Sequence, residues 1–120
     1  MSKNPIDRTN AEHYIWNESC DGWKLLSQGD LSVIEERMPA GVQDHIHKHV
    51  RTTQMFYILS GELQVEIEGK TVTAKAGQAV QIPRNAAHFL ANVTQADAFY
   101  LSIASPSILD DREEVEFVQI

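Results

Sequence analysis

Residues 62 to 68 read Glu-Leu-Gln-Val-Glu-Ile-Glu, a strict alternation of polar and apolar side chains. Side chains two apart in an extended chain share a face, so Leu63, Val65 and Ile67 predict the buried face of a strand whose acids meet water. Turn-forming residues cut the remaining chain at similar short intervals: Pro39-Ala40-Gly41, Ser60-Gly61, Glu68-Gly69-Lys70, Ala76-Gly77 and Pro83-Arg84-Asn85. Between them the patterning predicts strands at Trp23 to Leu26, Leu31 to Met38, His45 to His49, Gln54 to Leu59, Thr71 to Ala74, Ala79 to Ile82, Ala87 to Val93, Ala98 to Ile103 and Val115 to Val118. No stretch keeps a helical period for three turns. Many short strands with regular turn signals predict an all-β sandwich or barrel.

The 120 residues allow one domain with one core, and there is neither internal repeat nor low-complexity segment. The single cysteine, Cys20, has no internal partner for a disulfide and sits beside Glu18 and Asp21, which disfavour a thiolate. It reads as a small buried hydrophobe in a reducing compartment. No apolar run reaches transmembrane length and residues 1 to 8 lack the apolar stretch of a secretory signal, so a cytoplasmic location is expected. The net charge of −7, with acids at Glu35, Glu36, Glu62, Glu66 and from Asp110 to Glu116, argues for an acidic surface and against nucleic acid or anionic membranes as partners.

Two spacing patterns carry the chemistry. The first runs Gly41, five residues, His47, one residue, His49, four residues, Gln54, six residues, Gly61. The second runs Gly77, five residues, Pro83, one residue, Asn85, two residues, His88, three residues, Asn92. Strand parity puts His47 and His49 on one face. Gln54 has the opposite parity and can join them only if the chain turns or bulges within Val50-Arg51-Thr52-Thr53. His88 must come from a strand distant in sequence, which a barrel allows because inward side chains converge. Converging imidazoles favour a divalent transition metal, Zn, Ni, Fe, Mn or Cu, over Mg or Ca. His45 shares the parity of His47 but no landmark supports it, and it reads as a barrel-mouth residue; His13 reads as surface.

Together the two patterns resemble the motifs of the cupin family, small β-barrels that usually hold a metal on three histidines and a glutamate. The likeness covers about Leu31 to Ser105. It implies an all-β cupin fold, a double-stranded β-helix or jelly-roll barrel, as one domain over residues 1–120, with the terminal segments packing outside the barrel core. It also implies a metal held by His47, His49, His88 and Gln54, with Gln54 standing where the family usually has glutamate. Gln54 either ligates or only hydrogen-bonds within the barrel. Asn85 stands where the family pattern has glycine, and asparagine tolerates the left-handed conformation such a turn needs.

A neutral amide leaves the double charge of the ion uncompensated, which favours an anionic partner. Glutamine in this place is similar to the small cupins that convert unsaturated uronates, and Ala104-Ser105-Pro106 with Arg112 downstream is loosely similar to theirs; alternatively Arg112 joins Asp110, Asp111, Glu113 and Glu114 in a surface ion-pair cluster. The expected function is Lewis-acid chemistry on a small oxygen-rich carbonyl or sugar acid, isomerase- or lyase-like. Fe(II)-dependent dioxygenation and a non-enzymatic small-ligand sensor are the alternatives. Phe56, Gln81 and Phe99 are candidates to line the cavity. Met55 to Leu59 and Phe99 to Ile103 are apolar at nearly every position, which predicts cover on both faces, either from a second copy in a homodimer or from the N-terminal segment with Tyr14, Ile15, Trp16 and Trp23.

Overall fold

The computed structural model describes residues 4–108 and 112–115. Its strands are β1 Glu12–Trp16, β2 Cys20–Ser27, β3 Ser32–Met38, β4 His47–Lys48, β5 Thr53–Ser60, β6 Glu62–Ile67, β7 Lys70–Lys75, β8 Ala79–Ile82, β9 His88–Ala91, β10 Ala98–Ser105 and β11 Glu113–Glu114. They form two antiparallel sheets, one ordered β1-β2-β3-β10-β5-β8 and the other β11-β4-β9-β6-β7. Alternation decides what lies between them. Met38, Phe56, Ile58 and Tyr100 from the first sheet and Leu63, Val65, Ala74 and Leu90 from the second form one buried cluster. The architecture is the all-β double-stranded β-helix expected of a cupin.

The turns follow their residues. Glu68 and Gly69 both take positive φ between the paired Ile67 and Lys70, the two-residue hairpin turn whose twist matches its strands. Asn85 also takes the left-handed conformation, at φ 64°. The polar stretch after His49 carries the chain from β4 in one sheet to β5 in the other, and this is how Gln54 escapes the parity of His47.

Some expectations need correction. Glu12–Trp16 is a strand, β1, paired with β2 from Trp16↔Cys20 to Glu12↔Lys24. Its alternation is masked because most of its side chains are only half buried or exposed at a sheet edge. The strand at His45 to His49 contracts to His47–Lys48, held by the single β4–β9 pair His47↔His88. At the C-terminus the chain pairs with β4 through Glu113–Glu114; the strand expected at Val115 to Val118 falls mainly on residues 116–118, outside the described residues. Glu36 does not belong to the acidic surface. It is 8% exposed and points inward between Ile34 and Met38, while its neighbour Glu35 faces out toward Arg8.

Candidate metal centre

His47 and His88 face each other as cross-strand partners of β4 and β9, and His49 follows two residues after His47. All three are buried, and a ligand atom of each lies within 4.8 Å of those of the others, so the cluster could hold one metal ion. The ring centroids lie 4.4 Å apart for His47 and His88, 5.0 Å for His47 and His49, and 5.5 Å for His49 and His88.

Backbone carbonyls set the tautomers. His47 donates from Nδ1 to the carbonyl of His45 at 2.8 Å, and His88 donates from Nδ1 to the carbonyl of Ala86 at 2.9 Å. Each ring therefore keeps its Nε2 lone pair for another partner, the arrangement that orients a ligating histidine. Nε2 of His88 is buried and makes no hydrogen bond within the described residues. Burial pushes the His88 imidazole down to about 4 and lowers His47 as well, helped there by the charges of Arg112 and His49. Both rings are neutral at pH 7, as ligation requires.

Gln54 approaches from the other sheet. Its side-chain amide donates to the Ser102 hydroxyl at 2.8 Å, and its Oε1 is buried without a hydrogen-bond partner among the described residues. Gln54 lines the same cavity as His47 and His49. A buried amide oxygen and a buried imidazole nitrogen, both lone-pair donors and both unsatisfied, match a hard or borderline divalent cation.

Two residues that sequence reasoning missed complete the setting. Asp44 is buried beside His47, its Oδ2 3.5 Å from Nδ1, and is held by Arg112 at 3.2 Å. Arg112 also pairs with Glu114 at 3.0 Å, so it is an ion-pair residue, but its buried partner comes from far outside the acidic run around it. Asp110 and Asp111 lie outside the described residues. No signal marked Asp44, because it lies in irregular chain before β4 where parity says nothing. Glu36 did carry a signal, since it shares parity with Ile34 and Met38 on an apolar face.

His47, His49, Gln54, Glu36, Asp44 and Arg112 line a cavity of about 190 Å³, together with Tyr14, Trp16, Phe56 and Leu90. It is smaller than the ~300 Å³ at which sites for drug-sized ligands begin, so it suits a small metabolite. Phe56 lines it as expected; Gln81 and Phe99 do not. Gln81 is exposed on the outer face of β8, and Phe99 faces outward, stacked on Trp23 at 6.5 Å with the Arg8 guanidinium 4.6 Å over its ring. Both have the opposite parity to the inward residues of their strands. His45 is exposed, as expected of a barrel-mouth residue, and Asn92 is buried, capping the ends of strands through the carbonyls of Met38 and Ala96.

A family model described as a cupin domain matches residues 33–104. Three solved structures are similar in fold. The polyketide cyclase RemF from Streptomyces resistomycificus superposes with a TM-score of 0.82 at 19% identity, over 99% of this chain and 89% of that one. KdgF from a Halomonas species gives 0.80 at 19% identity, covering 91% of this chain and 98% of that one. A Thermotoga maritima protein described as a predicted oxalate decarboxylase gives 0.77 at 22% identity over 85% of this chain and 98% of that one.

Proposed function

Because this chain belongs to the cupin-domain family, we propose that it is a metal-dependent enzyme acting on a small oxygen-rich carbonyl compound or sugar acid, in an isomerase- or lyase-like reaction. The observation that carries this reading is the Oε1 of Gln54, buried without a hydrogen-bond partner among the described residues, beside three buried histidines. His47, His49, His88 and Gln54 would hold the ion, which would supply Lewis acidity toward two substrate oxygens. Charge supports an anionic substrate. Asp44 and Arg112 cancel each other, Gln54 is an uncharged amide, and burial keeps His47 and His88 neutral, so a divalent ion would leave the cavity positive. The cavity volume keeps the substrate small, and the fold neighbours described as a polyketide cyclase and a predicted oxalate decarboxylase are consistent with chemistry on carbonyl or carboxyl groups.

Elemental analysis of gently purified protein tests the metal. About one divalent transition metal per chain, lost with chelator, is expected; metal-free protein that keeps its ligand affinity would instead make this a binding module, and oxygen uptake would make it a dioxygenase.

The same proposal includes a homodimer. On the outer face of the first sheet Tyr57 and Leu59 are 37% and 42% exposed, while Arg8 covers Phe99 and Trp23 at the other end of that face. The N-terminal segment thus covers part of the apolar surface, and a second copy would cover the β5 part. Cys20, buried and free, fits a reducing cytoplasmic setting. No described helix is long and apolar enough to cross a membrane.

A further inference from the structure

One row of residues across the first sheet has no role in holding a metal. Tyr14 pairs with Gly22, Gly22 with Glu36, and Glu36 with Tyr100, so four strands place these residues side by side. Gly22 is what lets the row close. A Cβ there would lie 2.4 Å from a ring carbon of Tyr14, so the Tyr14 ring occupies the space a side chain would fill. Two phenols therefore flank one inward carboxyl, and Tyr14 and Glu36 line the same cavity as His47, His49 and Gln54.

A carboxyl in this place is costly as packing. Any aliphatic residue would serve the core better, and among the described residues no ion pair compensates Glu36. The Tyr100 hydroxyl, on the paired residue, is buried with no hydrogen-bond partner among the described residues. Burial pushes the Glu36 carboxyl up to about 8, against the pull of Tyr100 and Arg112 and with the push of Asp44. The other groups facing it stay neutral over the same range: burial raises the Tyr14 and Tyr100 phenols, and raises the Cys20 thiol to about 11. Glu36 is thus the group of this row that changes charge near neutral pH, and it does so in contact with the cavity.

We propose that Glu36 is the catalytic acid–base residue of this cavity and that its substrate is a carbon acid, a small molecule with a hydrogen on the carbon next to a carbonyl group. This deepens the metal-enzyme reading and rests on it. The Glu36 carboxylate takes the proton: the C–H bond breaks, an O–H bond forms on Glu36, and the electron pair of the C–H bond forms a carbon–carbon double bond as the carbonyl oxygen takes the negative charge. Return of the proton to the neighbouring carbon or oxygen completes an isomerisation, with no oxidant and no net proton. Tyr14 and Tyr100 flank the carboxyl in the row, placed there by the strand register.

Deuterium uptake at carbon from D₂O into pyruvate and 2-ketogluconate, followed by NMR with metal-loaded protein, tests this. Wild type should exchange at least one of them roughly tenfold or more above the same concentration of free metal. Glu36→Gln should fall to that background with its metal content unchanged, while Glu36→Asp keeps part of the rate. The wild-type rate should rise with pH through one ionisation that Glu36→Gln lacks, a response that a purely structural Glu36 would not give. Equal rates for wild type and Glu36→Gln, or a metal-loaded wild type at background with both compounds, would overturn the proposal. A wild type that takes up no metal sinks the metal reading alone, and the same comparison made on the metal-free protein then decides the role of Glu36.

Discussion

The Gln54 amide donates to the Ser102 hydroxyl at 2.8 Å, and this bond turns its Oε1 away from Ser102 into a buried position with no partner among the described residues. The bond crosses from β5 to β10, neighbouring strands of one sheet, so the sheet itself fixes which end of the amide is free. Gln54→Glu should tighten metal binding, because a carboxylate adds Coulomb attraction; even ~1.4 kcal/mol of it is tenfold in affinity. Turnover should drop, since the added charge lowers the Lewis acidity of the ion and repels an anionic substrate. Competition with a chromophoric chelator measures the first effect, and unchanged affinity would place Gln54 outside the metal sphere. Ser102→Ala leaves the buried amide N–H without its acceptor and should cost roughly 1 to 3 kcal/mol of stability.

Metal should stabilise the fold as well as act in it. At free metal 100- to 1,000-fold above its dissociation constant the gain is roughly 3 to 4 kcal/mol. His49→Ala or His88→Ala should remove that gain, with affinity falling by more than the roughly 100-fold that loss of a merely supporting residue costs. His45→Ala should change little, because His45 is exposed. Melting temperatures with and without chelator, for wild type and each variant, check all three; equal temperatures for wild type would end the metal reading.

The fold was legible because strand alternation and turn chemistry are local. Leu63, Val65 and Ile67 announce their face, and Glu68-Gly69 its turn, without help from distant residues. The convergence of His47, His49 and His88 was legible because glycine and proline landmarks fixed their spacing, and the sheet crossing before Gln54 followed from parity. Asp44 was not, since its burial depends on Arg112, 68 residues away. Gln81 and Phe99 were misplaced because choosing which parity of an edge or doubly apolar strand faces inward needs its partner: Gln81 pairs with Met55, and Phe99 stacks on Trp23.

The outer face of β5 and β10 predicts the oligomeric state. Light scattering at micromolar concentration should give twice the chain mass, and Tyr57→Lys with Leu59→Lys should give a monomer, because two charges would then be buried in the interface. A wild-type monomer would mean that Arg8 and the N-terminal segment suffice as cover.

Glu36 and His88 make opposite claims on stability. The folded Glu36 carboxyl titrates at about 8 against 4.5 for an unperturbed glutamate, so between these values the folded protein keeps a proton that the unfolded chain has released. Stability therefore falls as pH rises through that window. His88 is lowered to about 4 from 6.5, so from pH 6.5 down to 4 the unfolded chain binds a proton that the folded one refuses, and stability falls as pH drops. The two oppose each other where the windows overlap, and above pH 6.5 the Glu36 loss stands alone. Glu36→Gln has no charge to bury. Denaturant unfolding of the metal-free proteins should show its stability rising relative to wild type by up to about 1.4 kcal/mol per pH unit between the two Glu36 values, then levelling. A difference that stays constant with pH would mean that Glu36 titrates alike in both states, and it would remove the physical basis for a proton-exchanging carboxyl in the cavity.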